Sequence, residues 1–535
     1  MALLISDVKL PITADDTELA SRIAKQCGFD CSRIQRIRIN RRALDARKKN
    51  EIHFLIRAIV EVDAATESKL LQKGDPHIQA YVQREPQPLL SGNIPCKERI
   101  VVVGLGPAGL FAALLLAQNG YRPLVLERGK TVDQRTTDVE HFWQAGELQV
   151  ESNVMFGEGG AGTFSDGKLT SRSKDPRQEK VLDTLAEFGA PEEILIDAKP
   201  HIGTDRLRTV VAEIRKEIER LGGEVRFSAK LDGIETRDGR VTAVHVCGPT
   251  QPERIKADAV VLAIGQGARD TYRMLFESGV AMGKKPFAVG VRAEHPQSLI
   301  NVAQFGVMAE HPRLGAASYA LTGKSGTRGV YTFCMCPGGQ VIASSSAEGE
   351  VVVNGMSDYA RNGANANAAV VVQVQNEDTP DHPLAGLEWI EQMERTAFRA
   401  GGGGYAAPAE RVADFLTHAN PKGFGSVTPS YRPGVQPHSL WECLPDFVAQ
   451  GIADGIQDFA RHLRGYDLPD AVLTAAETRT SAPLRILRNE LLESVSHAGL
   501  YPVGEGAGYA GGIVSAAIDG LRAAEAIIGR FARPE

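Results

Sequence analysis

Three glycines near position 100 are spaced as GxGxxG, directly after an apolar run. Gly104 permits a tight turn after a strand, Gly106 lets the main chain approach a diphosphate, and Gly109 lets the following helix pack closely on the strand. Pro107 and Ala108 begin that helix, whose free N–H groups and partial positive charge favour phosphate oxygens. The spacing therefore predicts main-chain contacts to the diphosphate of a dinucleotide.

An acidic residue follows at the distance that a dinucleotide-binding unit requires. Glu127 lies 18 residues after Gly109, at the end of the apolar run Pro123–Glu127, which is predicted to form a second strand. A carboxylate in that place accepts both hydroxyls of an adenosine ribose and repels a 2′-phosphate. Arg128 is predicted to lie at the same site. Together these residues predict a dinucleotide, but they do not distinguish NAD from FAD.

A second strand, glycine turn and helix pattern extends from Gly499 to Gly520, close to the end of the chain. It resembles the carboxy-terminal segment of FAD oxidoreductases, in which an acidic residue holds the ribityl chain and the next helix points at the flavin. Those proteins usually have Asp where this chain has Glu505. The resemblance implies that non-covalent FAD is bound by Gly504, Glu505, Gly511, Gly512 and Ile513.

A third glycine-rich segment, GEGGAGTFSDGKL, occupies positions 157–169. In flavoproteins of this kind, the second glycine loop lies beside the isoalloxazine, where larger side chains would collide with the ring. The likeness implies FAD contacts from five residues of the loop, Gly159, Gly160, Gly162, Thr163 and Ser165. It also places Ser165, Asp166 and Lys168 within reach of the flavin or a substrate. The alternative is that the glycines serve packing alone.

Five other segments extend the resemblance over nearly the whole chain. Gly265, in the segment AIGQG, resembles the strand-to-glycine turn that such flavoproteins use where the chain passes between domains. The others are 42–49 (RALDARKK), 288–297 (AVGVRAEHPQ), 331–339 (YTFCMCPGG) and 477–483 (ETRTSAP). Together the motifs resemble the mostly uncharacterised bacterial FAD-dependent dehydrogenases, or NAD(P)/FAD-dependent oxidoreductases, related to the fumarate-reductase and glutathione-reductase groups. The resemblance implies hydride transfer between a substrate and flavin N5, and it implies no particular substrate.

Four arginines adjoin these motifs, namely Arg292, Arg432, Arg479 and Arg485. A guanidinium can bind a carboxylate through two parallel hydrogen bonds, so these side chains predict a small anionic substrate. Arg479 immediately precedes the return segment, where it would bind substrate or hydrogen-bond the pyrimidine edge of the flavin. The alternative for each arginine is a structural ion pair. Arg479, Arg292 and Lys168 are the predicted catalytic residues.

The sequence contains no second GxGxxG that would hold a nicotinamide. NAD(P)H is therefore expected to dock only transiently, as a reductant, and the segment between the flavin motifs is predicted to cap the flavin and bind substrate. His295 and His438 are candidates for proton transfer near pH 7, with structural loop positions as the alternative.

Seven cysteines are present, and only Cys27/Cys31 and Cys334/Cys336 are close in the chain. No nearby His or Cys completes a zinc tetrad, so we predict no metal site. A Cys-x-Cys pair closes only a strained disulfide, and the residues beside it in sequence supply no positive charge that would lower a thiol pKa. These thiols are therefore predicted to be structural. Cysteine usage indicates a reducing, cytoplasmic setting.

Two separated segments, 96–280 and 476–535, are needed to bring the flavin motifs together. They are predicted to form one discontinuous, Rossmann-like FAD-binding domain of the α/β class. The intervening residues 281–475, with many Gly and Pro turns, are predicted to form an inserted α+β cap. The sequence does not predict the oligomeric state.

Residues 1–95 are predicted to form a small α+β domain, with a helix at Leu19–Cys27 and strands at 34–40 and 53–62, followed by the linker REPQPLLSGNIP. The domain carries a cationic run composed of Arg33, Arg36, Arg38, Arg41, Arg42, Arg47, Lys48 and Lys49. This run is either a solvated face or a docking patch for NADPH or RNA. A flavin-dependent RNA-modifying enzyme and a non-catalytic FAD-binding redox sensor are therefore the alternative functions.

Composition argues against several classes of protein. The 535 residues carry a formal net charge of −6, which gives no overall attraction to nucleic acid. The start, MALLISDVKLPI, lacks the basic region of a signal peptide. The uncharged stretch 101–117 is too short for a comfortable membrane span and is interrupted by GLGPAG. We therefore expect no membrane segment and regard a nucleic-acid partner as disfavoured.

Overall fold

The computed structural model describes residues 2–82, 88–171, 173–248 and 251–534. The amino-terminal elements are β1 (Ala2–Pro11), α1 (Leu19–Cys27), β2 (Ile34–Asp45), β3 (His53–Val62), α2 (Ala64–Gln72) and β4 (Ile78–Tyr81). They form an antiparallel sheet in the order β2-β3-β1-β4.

Helix α1 forms where it is predicted, because its apolar residues recur on one face. Leu19, Ile23, Ala24 and Cys27 are buried, and Gly28 ends the helix in the left-handed conformation that lacks a penalty for glycine. The two predicted strands are also confirmed, although β2 continues five residues beyond position 40. Part of the predicted linker, residues 84–87, lies outside the described residues.

Residues 99–220, which include the first two glycine-rich motifs, contain β5 (Arg99–Val103), α3 (Pro107–Gln118), β6 (Leu124–Leu126), α4 (Val132–Ala145), α5 (Arg177–Glu187) and α6 (Thr204–Arg220). Residues 224–277 contain β7 (Glu224–Arg226), β8 (Lys230–Arg237), β9 (Arg240–Cys247), β10 (Pro252–Leu262) and α7 (Arg269–Glu277). The predicted strand, turn and helix around the first glycine motif are thus confirmed.

The elements that follow are β11 (Met282–Lys284), β12 (Phe287–Pro296), α8 (Gln297–Phe305), β13 (Thr322–Ser325), β14 (Arg328–Ala343), β15 (Val353–Met356) and β16 (Asn365–Val374). They continue with α9 (Ala385–Ala400), β17 (Ala407–Arg411), α10 (Val412–Thr417), β18 (Val435–Pro437), α11 (Asp446–His462) and β19 (Val472–Glu477). Most of these strands form a sheet in the order β13-β14-β16-β12-β19-β17-β18, with β15 beside β14.

Helix α11 packs closely on this second sheet because two of its residues are glycines. A Cβ at Gly451 would lie 2.7 Å from Val372 of β16, and one at Gly455 would lie 2.6 Å from Val330 of β14. Larger residues there would push the helix away from the sheet and leave voids in a close-packed core.

The chain then returns through β20 (Leu484–Ile486), β21 (Leu500–Pro502) and α12 (Ile513–Arg530). Strand β21 pairs in parallel with β10, which completes five parallel strands in the order β7-β6-β5-β10-β21. Helix α12 contacts α3, since Gly520 leaves no room for a Cβ against the Ala108 carbonyl. The carboxyl ends of β5 and β21, and the helices after them, therefore meet at one edge of the sheet.

The fold is thus mixed α/β, and its parallel sheet draws strands from two segments of the chain that are more than 200 residues apart, 99–262 and 500–502. Strands β11 and β20 pair where the chain leaves and re-enters this region. The boundaries at 95, 280 and 475 remain predictions. Within the described residues, no helix is both long and apolar enough to cross a membrane.

Candidate functional site

One cavity is lined both by residues at the carboxyl edge of the parallel sheet and by residues of the second sheet. Sixteen predicted site residues line it, namely Gly104, Gly106, Pro107, Ala108, Glu127, Arg128, Gly160, Gly162, Ser165, Lys168, Gly265, Arg479, Glu505, Gly511, Gly512 and Ile513. The other predicted site residues do not line it; these are Gly109, Gly159, Thr163, Gly504 and Arg292. All three glycine-rich motifs therefore meet at one cavity, although they are far apart in sequence.

The first glycine turn is shaped by close main-chain contacts. Gly104 has φ +97°, and a Cβ there would overlap the Ala263 carbonyl. A Cβ at Gly109 would overlap the Gly104 carbonyl, so Gly109 serves helix-to-strand packing. Gly106 differs from both, because the nearest atom to its added Cβ is 3.7 Å away, in Gly160. The absence of a side chain at Gly106 thus leaves main chain facing the cavity.

Two helices begin at the cavity. Helix α3 has Gly106 as its N-cap, and α12 has Gly512, so neither cap residue has a side chain to satisfy the first N–H groups. Each helix amino terminus presents free N–H groups and a partial positive charge. An anionic ligand between them would interact favourably with both helix termini.

Glu127 lies beside this turn and is 5% exposed. Its carboxylate accepts main-chain N–H groups from Leu105 at 2.8 Å, and from Gly129 and Gly157 at 2.9 Å each. The carboxylate therefore fixes the first glycine turn against the second glycine loop. Its contact with a ribose stays a prediction, and this structural role was not predicted from the sequence.

Arg128, beside Glu127, lines the cavity through a side chain that is already engaged. Its guanidinium stacks on Phe156 at 3.9 Å from the ring centroid and pairs with Glu151 at 2.8 Å and Asp270 at 2.9 Å. The stack and the ion pairs fix the planar group at the wall of the cavity.

A buried cation that sequence analysis missed supports the second glycine loop. Arg135 of α4 donates to the carbonyls of Asn153, Val154 and Glu158 at 2.7 Å each, and to that of Gly160 at 2.9 Å. Burial lowers the pKa of Arg135 to about 9. Nothing in the sequence of α4 distinguishes Arg135 from an ordinary helix arginine.

Two predicted glycine-loop residues lie inside the protein rather than at the cavity. Gly159 has φ +84°, and a Cβ there would overlap the hydroxyl of Thr163. Thr163 is fully buried, and its hydroxyl donates to the Glu158 carbonyl at 3.3 Å. Both residues therefore shape the loop from behind.

Asp166 and Lys168 form a charged pair at the cavity wall. Lys168 Nζ is 3.3 Å from Asp166, whose other oxygen accepts from Arg361 Nε at 2.8 Å. Burial opposes ionisation of Asp166, but the charges of Lys168 and Arg361 outweigh it and lower the pKa. Lys168 thus keeps its ammonium group against an ionised carboxylate and faces the cavity.

Arg479 also lines the cavity, with a guanidinium that makes no hydrogen bond to the described residues. The residue is 7% exposed, and its three side-chain nitrogens have no hydrogen-bond acceptor among the described residues. The nearest carboxylate, in Glu394, is 3.8 Å from Nε. Burial lowers the pKa of Arg479 to about 10. Buried donors are almost always paired, so this arrangement calls for an acceptor from a ligand.

Glu394 belongs to a buried ionic cluster that joins α7 to α9. It accepts from Arg269 at 2.7 Å and from Thr478 at 2.5 Å, and Arg269 also binds Glu350 at 2.7 Å. Burial, reinforced by the nearby Glu394 charge, raises the pKa of Glu350 to about 7. The cluster ties the region of the parallel sheet to the region above the cavity.

Glu505 lies at the return segment, where the resemblance implies a ribityl contact. Burial raises the pKa of this carboxyl to about 7. Gln266 donates to Glu505 at 3.0 Å and to the Arg479 carbonyl at 2.8 Å. Gln266 therefore links two predicted site residues, and it was not itself predicted.

Arg292 does not have the position expected of a substrate ligand. Its fully buried guanidinium binds Glu477 at 2.8 Å, Asn367 at 2.8 Å and the Cys334 carbonyl at 3.1 Å. These partners occupy the donors that would have bound a substrate carboxylate. Arg292 therefore supports the cavity wall from within, which is a correction to its predicted role.

The other candidates also lie away from the cavity. Burial lowers the pKa of His295 to about 4, and its Nε2 is 2.6 Å from the Tyr466 carbonyl, so it is unsuited to proton transfer near pH 7. His438 pairs with Glu442 at 3.5 Å. Arg432 lines a different cavity, and Arg485 lies over the Tyr509 ring.

The setting of Cys334 contradicts the expectation from sequence. Cys334 lines the cavity, and the structure brings Lys168 and Arg292 close to it from distant segments. A hydrogen bond from Cys336, together with these cations, lowers the pKa of Cys334 well below its usual value despite burial. The prediction that no positive charge lies near these thiols was wrong. It considered only the residues beside the cysteines in sequence, whereas the two cations come from distant segments.

Residues 286–480 match the family described as FAD-dependent protein, C-terminal domain-like, and residues 2–61 match a domain of unknown function. The match of residues 286–480 to the first family supports FAD as the cofactor. The chain is 50% identical over 539 residues to a Clostridium beijerinckii protein described as an uncharacterized protein, with 100% of each chain covered. The chain belongs to the same family as that protein.

Other similarities are more remote. Protein FixC of Escherichia coli K12 is 27% identical over 209 residues, which cover 37% of this chain and 44% of FixC. A solved 3-ketosteroid-delta4-(5alpha)-dehydrogenase from Rhodococcus jostii is 13% identical with a TM-score of 0.35, covering 82% of this chain and 99% of that one.

Proposed function

We propose that the protein is an FAD-dependent oxidoreductase that moves hydride between flavin N5 and a small anionic substrate held above the parallel sheet. The observation that carries the proposal is the convergence on one cavity of the three glycine-rich motifs, two helix amino termini and the Arg479 guanidinium, whose donors have no acceptor among the described residues. Such convergence of main-chain donors and a few polar side chains is typical of cofactor sites.

The residues of the cavity fit FAD. Main chain at Gly104 and Gly106 would receive the diphosphate, since no side chain stands between the turn and the cavity. The Glu127 carboxylate already accepts three main-chain N–H groups. It would bind the adenosine ribose through its remaining lone pair. Glu505 and the start of α12 would hold the ribityl chain and the flavin. When bound, the flavin supplies the hydride acceptor or donor.

The two cations on the cavity wall support an anionic substrate. Lys168 Nζ has only its ion pair with Asp166, and Arg479 has no acceptor within the part of the chain that the structure describes. A carboxylate would satisfy either group, most effectively a guanidinium through two parallel hydrogen bonds. In this proposal Lys168 and Arg479 orient the substrate, and Arg292 supports the wall behind them.

The second sheet limits access of water to the reacting groups. Phe333 and Asn354, from β14 and β15, also line the cavity. The ionic cluster of Arg269, Glu350 and Glu394 holds α9 against the region of the parallel sheet. Exclusion of water strengthens the electrostatic interactions inside the site.

The alternative of an RNA-modifying enzyme has less support. Several members of the cationic run are already paired with acidic residues: Arg33 with Asp63, Arg42 with Asp197, Arg47 with Asp45 and Lys48 with Glu51. Their charges are therefore partly neutralised before any phosphate arrives. If RNA were the substrate, filter binding with a salt titration would give a steep dependence on salt.

Anaerobic titration of the purified protein tests the proposal. Bound flavin should lose its absorbance on addition of a small organic acid, or of NADH or NADPH, which would dock transiently. The reduced flavin should then be reoxidised by a second compound. Dithionite reports the total reducible flavin. Flavin that responds to dithionite but to no physiological donor would contradict an oxidoreductase and favour a redox sensor.

A further inference from the structure

Strand β14 contains an irregularity at its two cysteines. The pairing of β14 with β16 changes register between Phe333 and Cys336, which introduces one extra residue on β14. Cys334, within this bulge, has φ +43°, a left-handed conformation that costs energy for a residue with a Cβ. A bulge re-aims side chains, and this one places Cys334 on the wall of the cavity.

The second cysteine lies directly behind the first. Cys336 is fully buried, and its thiol donates to the Cys334 carbonyl at 3.3 Å. Arg292 approaches both residues, donating to the Cys334 carbonyl at 3.1 Å with its nitrogen 4.0 Å from Cys336 Sγ. The two thiols are therefore adjacent, and one of them faces the proposed flavin site.

Positive charge at this place favours a thiolate. Lys168 from the second glycine loop and Arg292 from β12 both act on the Cys334 sulfur and lower its pKa, after the hydrogen bond from Cys336. Three other cysteines show the opposite effect, since desolvation raises the pKa of Cys27 and Cys96 to about 11 and that of Cys443 to about 12. A thiolate is the reactive form in nucleophilic and redox chemistry.

We propose that Cys334 and Cys336 are a redox-active dithiol that exchanges an electron pair with the flavin in this cavity. The inference rests on the proposed function, because it requires FAD beside Cys334. It assigns Cys334 as the residue facing the flavin and Cys336 as the resolving thiol. Lys168 and Arg292 act as positioning residues that hold the thiolate.

The exchange balances without a further reagent. The Cys334 thiolate and the Cys336 thiol together lose one electron pair and one proton and form one S–S bond. Oxidised FAD takes up the electron pair and the proton and becomes FADH⁻. In the reverse direction FADH⁻ reduces the disulfide, so the dithiol stores the electrons that the flavin passes on.

Anaerobic reductive titration of the oxidised holoenzyme tests the inference directly. Per bound FAD, the wild-type protein should take up about twice the electrons of the Cys334→Ser and Cys336→Ser variants, because each disulfide takes up one further pair. Cys443→Ser is the matched control, since Cys443 is buried away from the cavity and should not alter the uptake. Equal uptake per FAD in the wild type and in Cys334→Ser would overturn the dithiol.

Two measurements on the wild type avoid dependence on how the variants fold. Denatured oxidised holoenzyme should contain two fewer free thiols than the reduced form, and peptide mass spectrometry should locate the difference at Cys334 and Cys336. In FAD-free protein at about pH 6, iodoacetamide should alkylate Cys334 about tenfold faster than the exposed Cys247, and added FAD should protect it. An unchanged thiol count contradicts the inference, as does alkylation of Cys334 no faster than that of Cys247.

The outcomes separate this inference from the proposed function. Bound FAD with an unchanged thiol count leaves the flavoprotein intact and removes only the dithiol. A protein that binds no FAD contradicts both proposals.

Discussion

The two ends of the cavity recognise ligands with different parts of the chain. At the glycine turn, main chain and the amino termini of α3 and α12 face the cavity, beside Glu127 and Arg128, whose charged groups are already bound within the protein. At the opposite end, the surface carries the charged or reactive side chains of Lys168, Cys334 and Arg479. The first end offers fixed partial charges that do not titrate, and the second offers groups whose charge depends on burial and neighbours.

This difference assigns separate tasks to the two ends. Main-chain donors at the glycine turn suit permanent binding of a diphosphate, since they are held rigidly and require no ion pairing. Buried side-chain cations with unused hydrogen-bond donors suit a ligand that enters and leaves, because a bound anion supplies the acceptors that Lys168 and Arg479 lack among the described residues. Substitutions at the first end should therefore affect retention of FAD, and substitutions at the second should affect turnover.

The largest effect is expected at Gly106. Gly106→Val should lower FAD affinity by about 100-fold or more, equivalent to about 3 kcal/mol, because the new side chain occupies the approach of the diphosphate. The fold should tolerate it, since the added Cβ has 3.7 Å to the nearest atom. Gly404→Val, at a site with open space far from the cavity, is the control. Flavin absorbance after purification measures the effect, and full FAD occupancy in Gly106→Val would contradict this role for Gly106.

Glu127 should show a smaller and mixed effect. Glu127→Ala removes the acceptor of three main-chain N–H groups, so the free energy of unfolding should fall by about 2–3 kcal/mol. FAD affinity should fall as well, through loss of the ribose contact and disorder of the turn. Urea denaturation and FAD titration measure the two effects. Unchanged stability with unchanged affinity would refute both assignments.

Arg479 tests the other end of the cavity. Arg479→Ala should retain FAD within about tenfold of the wild-type affinity but lower kcat/KM by about 10- to 100-fold, because a desolvated charge-assisted contact to substrate is lost. Arg399→Ala, on the exposed part of α9, is a control for loss of a guanidinium. Loss of FAD from Arg479→Ala would place this residue at the cofactor instead, and unchanged kinetics and flavin potential would remove it from the site.

The smallest expected effect is a pH dependence at Glu505. Burial raises its pKa to about 7 from an ordinary value of about 4.5, so the folded FAD-free protein binds the proton more tightly than the unfolded chain. Its contribution to stability is present below about pH 4.5 and is lost as the pH rises through about 7. The fall in the free energy of unfolding between about pH 4.5 and 7 should be smaller by about 1–2 kcal/mol in Glu505→Gln than in the wild type. Urea denaturation across that pH range measures the difference. Glu388→Gln, on the exposed face of α9, is the control and should leave the fall unchanged.

The strands, turn and helices at the main-chain end of the cavity could be predicted from the sequence. The glycine turn, α3 and the return to β21 and α12 depend on short-range spacing, which sequence displays directly. Helix α1 was predicted with its observed bounds for the same reason.

The side-chain end was predicted less well because folding assembles it from distant segments. The positive charge near the Cys334 thiol comes from Lys168 and Arg292, which belong to other parts of the chain. The residues beside Cys334 in sequence therefore do not reveal it. Arg135 and Gln266 were missed, since their roles depend on which carbonyls and carboxylates surround them. Arg292 was expected at the substrate because its type suits an anion, but burial commits its donors elsewhere.

The central claim is that the cavity between the glycine turn and the return segment binds FAD. The most direct test is thermal or urea unfolding of the FAD-free protein with and without added FAD. At an FAD concentration about 100 times the Kd, the free energy of unfolding should rise by about 2.7 kcal/mol, with a corresponding rise in Tm, and Gly106→Val should show no such rise at the same concentration. No stabilisation of the wild type by FAD at any concentration, together with colourless purified protein, would contradict the claim.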